Sequence, residues 1–220
     1  MVRDRGLDCE YEGASVPGKP KSDGRPAVLS LRERNRLRTR RELLDAALEV
    51  FAESGYGSAT VDAIAARASA SKVTLYTYFP QGREELFREL YEEINSELIE
   101  SVSAIYADDA DWADRVIALT GALLTIAQRP LVGRFYSIDD PALDEALHPV
   151  RGHASRLCVE LIAADLDAAM RTRAVKPKAS SRAIAELLVG AMGAALSDVA
   201  RQAVTPADIR AAMGALLTGL

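Results

Sequence analysis

The chain has 220 residues, 27 Lys and Arg against 32 Asp and Glu, a net charge of −5 and only 5% aromatic residues. That length suits one or two domains with a sizeable core, and the Ala- and Leu-rich composition favours helices over sheets. Two cysteines, Cys9 and Cys158, are too few and too far apart for a disulfide framework or a metal knuckle. No apolar run approaches the ~20 residues that span a bilayer, and the polar N-terminus lacks a signal-peptide core. A cytoplasmic protein without membrane contact is the expectation.

The charge is unevenly spread. Residues 1–41 carry a net +5 and the remaining residues a net −10. A basic end on an acidic body suits a local nucleic-acid binder and excludes one that binds with its whole surface. Residues 1–30 are punctuated by Gly and Pro without an apolar period, and read as a disordered tail. Six arginines then fall in ten positions: Arg32, Arg34, Arg36, Arg38, Arg40 and Arg41. Such a run is either solvated or an arm that follows DNA phosphates or enters the minor groove.

Leu43, Leu44, Ala47, Val50 and Phe51 recur at helical spacing and predict a helix over 36–54, with Gly55 as a left-handed stop. Residues 60–79 read as two short helices around a tight turn. Thr60 and Ser71 are good N-caps, Asp62 favours the first helix dipole, and Val61, Ile64, Ala65 and Ala68 form an apolar stripe. The second helix, 72–78, presents Lys72, Thr74 and Thr77 without an acid, which is the face a helix-turn-helix offers to a major groove. Pro80-Gln81-Gly82 makes a turn, and Leu86, Leu90, Ile94, Leu98, Val102 and Ile105 predict a long amphipathic helix over 83–105.

Further helices are expected over 111–127, over 131–136 as a short apolar piece, over 141–148, over 151–173 and from Ser180 or Ser181 to about 202. A last one is capped by Thr205, with Pro206 at its first position and a Val204–Ile209 staple. The helix beginning at Ser181 combines Gly190, Gly193 and several alanines with Leu187, Leu188 and Met192. With the helix over 151–173 it reads as half of a four-helix bundle across a two-fold axis, with Leu187, Leu188, Ala191, Met192 and Ala195 as the dimer interface; the alternative is an internal core helix. No strand pattern or internal repeat occurs, so the fold class is all-α. No phosphate loop, His-Glu-x-x-His or Cys-x-x-Cys is present, and His148 and His153 make a poor metal pair, so neither catalysis nor a cofactor or metal is expected.

Three groups of residues carry a family resemblance: Phe51-x-x-x-Gly55-Tyr56; Thr60-Val61-x-x-Ile64-Ala65-x-x-Ala68; and Ser71-x-x-Thr74-Leu75-Tyr76-x-Tyr78-Phe79. Over about residues 38–90 the chain resembles the tetracycline-repressor (TetR) family. It departs at Ala68-Ser69-Ala70, where the family turn commonly has glycine in the middle, and by one extra residue before Arg83. The resemblance implies a tail (1–30), a helix-turn-helix domain (31–82) and an effector-binding and dimerisation domain (83–220). It implies a ligand-responsive regulator, most simply a repressor, that binds a palindromic double-stranded DNA operator as a homodimer and is released by a small apolar effector. The alternative is a helical sensor that keeps the fold without reading an operator. By resemblance, Thr60 and Ser71 point N–H groups at phosphates, Lys72 and Thr74 reach base edges, and Val73 touches a thymine methyl. Tyr76, Tyr78 and Arg83 contact the backbone, while Arg38 and Arg40 are DNA-contact candidates from the basic run itself. The implied effector pocket draws on Trp112, Leu123, Phe135, Tyr136, His148, His153 and Cys158.

Overall fold

The computed structural model describes residues 30–138, 152–172, 174 and 178–219. The expected helix over 141–148, His148, and the tail up to residue 29 lie outside the described residues. Within them the chain is all-α, with nine helices. These are α1 (Leu31–Ser58), α2 (Val61–Arg67), α3 (Lys72–Tyr78), α4 (Arg83–Ala107), α5 (Trp112–Ala127), α6 (Pro130–Tyr136), α7 (His153–Arg171), α8 (Ser181–Ala200) and α9 (Pro206–Leu217).

The largest difference from the sequence reading is at the start. α1 begins at Leu31 because Ser30 and Glu33 form a reciprocal capping box, so the arginine-rich segment is helical rather than a loose arm. Gly55 interrupts α1 with φ +74 and ψ 173, and a final turn to Ser58 follows it. Elsewhere the caps act as their residue types dictate: Thr60, Ser71, Ser180 and Thr205 each accept a hydrogen bond from the N–H three residues on.

One apolar core joins the helix-turn-helix to the rest of the chain. Leu43, Phe51, Ile64, Leu75, Phe79, Leu86 and Phe87 are buried in it together with Val132 and Phe135 of α6. Its centre is aromatic: Phe87 lies 5.0 Å from both Phe51 and Tyr56, and 4.5 Å from Phe135, between ring centroids. Charged side chains brace the same join. Arg40 and Arg41 of α1 pair with Glu89 and Glu93 of α4, one turn apart. Arg67 of α2 reaches back to Glu49 and Glu53 of α1.

A second core packs α4, α5, α7, α8 and α9 around Val116, Ile162, Leu166, Ala185 and Met213. Near its edge Arg115 of α5 pairs with Asp165 of α7 at 2.9 Å and lies over the Tyr106 ring. Burial and the Asp165 carboxylate hold the Tyr106 hydroxyl well above the usual phenol range.

α8 is the most apolar long helix, although Arg182, Glu186 and Asp198 interrupt it. Ser181–Ala200 is long and apolar enough to cross a membrane by length and composition, with 39% of it buried inside the protein. Its inner face, Ile184, Ala185, Leu188, Met192, Leu196 and Val199, belongs to the body core, while Leu187 is 76% exposed. This corrects the expected dimer interface. Leu188, Met192 and Ala195 point into the core and are buried, whereas Leu187 and Ala191 lie on the open face.

Candidate nucleic-acid interface

α2 and α3 meet through a turn that its hydrogen bonds define fully. The Ala70 N–H donates to the Ala65 carbonyl at 2.9 Å and the Ser69 N–H to the Ala66 carbonyl at 3.1 Å, the paired bonds of a Schellman ending. That ending needs a left-handed residue, and Ser69 supplies it with φ +51. A side chain in this region costs about 1–2 kcal/mol where glycine costs little. Ser69→Gly is therefore expected to stabilise the protein by about 1 kcal/mol, raising the melting temperature by roughly 2–4 °C for a chain of this size. A calorimetric melt checks this; a lowered midpoint would contradict it.

α3 buries only Leu75 and turns the rest of its surface outward. Val73 is 78% and Tyr76 48% exposed. Ser71 Oγ caps the helix by accepting from the Thr74 N–H at 3.0 Å, and lies 2.8 Å from the Thr74 hydroxyl. Lys72 Nζ lies 2.7 Å from Asp62 of α2, a partner the sequence reading did not assign. Both side chains are more than half exposed, and such a pair yields readily to a competing contact. The Thr77 hydroxyl is taken up in donating to the Val73 carbonyl. Tyr78 is half-buried beside the start of α1.

The extra residue before α4 also has a structural reason. Gly82 has φ +63, and a Cβ there would lie 3.1 Å from Tyr76 Cε1, so glycine lets Tyr76 fold over the turn. Arg83 does not face outward as a phosphate clamp. Its guanidinium donates to the carbonyls of Tyr56 and Ala59, at 3.2 and 2.9 Å, and lies over the Tyr56 ring. It staples the end of α1 to the start of α4. Arg40 is corrected in the same way: it donates two hydrogen bonds to Glu89 and stacks on Phe79. Arg38 remains largely exposed, 3.6 Å from Glu42.

The body contains a partly open, mostly apolar cavity of about 130 Å³ between α4, α5, α6, α7 and α8. Leu123, Tyr136 and Cys158 of the expected pocket line it, with Leu98, Met192 and Leu196. Phe135 does not; it lies in the aromatic centre of the other core. Trp112 packs at the edge of the second core, and His153 borders a separate surface groove with Asn95. Among the described residues no charged side chain lines the cavity, and burial raises the Cys158 thiol, keeping it protonated. The Tyr136 hydroxyl donates to Asn95 Oδ1 on α4 at 2.7 Å, and its ring stacks on Tyr91. Asn95, buried within an apolar stripe, carried no signal of this role in the sequence. Among the described residues no group of His, Cys, Asp and Glu could hold a metal ion.

Residues 43–90, which carry α2, α3 and their packing partners, match the model of the tetR family of bacterial regulatory proteins. The chain carries a TetR-family domain over that stretch. The fold agrees over most of its length. A TetR-like transcriptional regulator from Rhodococcus sp. RHA1 superposes with a TM-score of 0.67 at 22% identity, over 81% of this chain and 92% of that one. A TetR-family regulator from Pectobacterium atrosepticum is 26% identical, with a TM-score of 0.55 over 86% and 94% of the two chains. A gamma-butyrolactone receptor gives a TM-score of 0.65 at 22% identity, over 83% and 87%. No curated protein sequence matches the chain. Below, α1–α3 are called the head and the later helices the body.

Proposed function

We propose that this regulator is a repressor that binds a palindromic operator as a homodimer and is released by a small, neutral, largely apolar effector held in the body cavity. One observation carries the reading: α6 belongs to both halves of the molecule. Phe135 is built into the aromatic core of the head, while its neighbour Tyr136 lines the cavity and bonds to the helix that leaves the head. A ligand that shifts Tyr136 therefore moves a helix on which the head is packed. Only an effector with different affinity for the two head positions changes DNA binding.

The lining supports the ligand class. A cavity of this size admits a molecule of about benzene's bulk without rearrangement. Ser155, Ser197 and Cys158 add hydrogen-bonding groups to an otherwise hydrocarbon wall, so one hydroxyl or carbonyl on the ligand suits it better than a charge. The resemblance to a gamma-butyrolactone receptor fits a neutral effector.

In this reading Lys72 and Thr74 read base edges, Val73 meets a thymine methyl, and Thr60, Ser71, Tyr76 and Tyr78 hold the backbone. Lys72→Ala is expected to remove roughly 1–3 kcal/mol of discrimination between operator and shuffled DNA. A fluorescence-anisotropy titration on both duplexes measures it, and an unchanged ratio would take Lys72 out of the reading role. Release is tested on the same labelled operator, with neutral apolar compounds against charged analogues of equal size. Dissociation by the charged set alone would overturn the ligand class.

A further inference from the structure

The first eight residues of α1 project beyond the head. Residues 31–38 are all exposed, and the first buried side chain is Leu43, about three turns in. An unsupported helical end frays unless its N–H groups are satisfied. Here the Glu33 carboxylate accepts from the Ser30 N–H and hydroxyl at 2.9 and 2.8 Å, and Ser30 Oγ accepts from the Glu33 N–H. These bonds, side chain first, hold the Glu33 carboxyl below the usual range. The segment is thus a capped helical rod carrying Arg32, Arg34, Arg36 and Arg38.

The arginines differ in their surroundings. Arg40 and Arg41 are paired to α4, and Arg38 faces Glu42. Among the described residues no acid pairs with Arg32, Arg34 or Arg36. Arg32, Asn35, Arg36 and Thr39 fall on one helical face. Together with Thr77 and Tyr78 at the end of α3, that face lines an open groove of about 830 Å³. Glu33, the acid at the rim, is engaged by Ser30.

We infer that this groove is a second DNA contact, in which the sugar-phosphate backbone flanking the half-site read by α3 seats between α3 and the projecting end of α1. Arg32 and Arg36 supply charge, and Asn35 and Tyr78 supply hydrogen-bond donors. The contact carries no sequence information, because it meets phosphates rather than base edges. It lengthens the footprint outward from each recognition helix. This rests on the DNA-binding reading of the head.

Arg32→Gln/Arg36→Gln keeps good helix formers at both positions, and circular dichroism checks that α1 is intact. On an operator duplex recovered from fragments bound by the wild type, the slope of log affinity against log salt is expected to fall by about 1.8 per subunit. Affinity at moderate salt should fall on the order of ten-fold or more, with the ratio between operator and shuffled duplex unchanged. Arg34→Gln/Arg38→Gln removes the same charge from the other side of the rod, and should leave the slope close to wild type. An unchanged slope in the first variant, or an equal fall in both, overturns the inference while leaving operator reading intact. Wild-type protein that binds no duplex in a salt-dependent way overturns the DNA reading itself, and this contact with it.

Discussion

Replacing Leu187 and Ala191 together by glutamate is expected to yield folded monomers that no longer hold operator DNA tightly. Both side chains lie on the open face of α8, where Leu187 is 76% exposed and a Cβ added at Gly190 would meet nothing within 4 Å. Ala183, Gly190 and Ala194 continue that face, so a second helix can approach closely. An apolar stripe of this kind on a long helix is what a partner helix covers, and a two-fold pairing of α7 and α8 gives a four-helix bundle. Two carboxylates per subunit, facing two more across the axis, would be desolvated against like charge. Because neither side chain is buried in the monomer, the fold should survive. Loss of the second head removes the avidity between half-sites, on the order of 10²–10⁴ in apparent affinity. Light scattering and an anisotropy titration read the two effects. A dimer that persists in the variant would place the interface elsewhere. The neighbouring change Ala195→Glu is not equivalent: Ala195 packs with Leu124, Leu196 and Val199, and a charge there would disrupt the core instead.

Gly133→Ala is expected to damage both stability and communication between body and head. α5 and α6 meet at a 109° bend, and a Cβ on Gly133 would sit 2.4 Å from the Ala127 carbonyl oxygen and 3.0 Å from its carbon. Those are backbone atoms at the end of a packed helix, so no flexible side chain can swing aside. The ~1 kcal/mol that alanine gains over glycine inside a helix is outweighed by forced displacement of α6. A net loss of about 2 kcal/mol would lower the melting temperature by roughly 4–8 °C. Phe135 and Tyr136 travel with α6, so the variant should also weaken the link between cavity and head. The expected result is operator binding that responds less to an effector which releases the wild type. Unchanged stability and response would show that α6 is not held at this corner.

Much of the head was legible in the sequence because its rules are local. Caps at Thr60 and Ser71, the apolar stripe through Ile64 and Ala65, and the acid-free surface of α3 follow from residue type and spacing within a few positions. The left-handed turn at Ser69 was readable from the same local logic. Roles that depend on contacts far along the chain were not. Arg83 and Arg40 look like free cations until folding brings Tyr56, Ala59 and Glu89 beside them, 24 to 49 residues away. Phe135 was placed in the pocket only by the family resemblance, and nothing in the seven residues of α6 says which neighbour an aromatic ring meets. Composition marked α8 as an interface helix, but helical phase separates Leu187 and Ala191 from Leu188, Met192 and Ala195. The start of α1 is a different case. Ser30-x-x-Glu33 is a capping-box pattern, and it starts α1 well ahead of the apolar residues whose spacing signals the helix.

The central claim is that two of these heads read one DNA site together. Selection of bound fragments from genomic DNA by the purified protein, at stated salt, tests it most directly. The expected result is strong enrichment of a sequence with two-fold symmetry, its half-sites centred about one helical turn or a small multiple apart, ~34–36 Å per turn. Retention of DNA without any enriched sequence, or enrichment of a single unrepeated site, would contradict it.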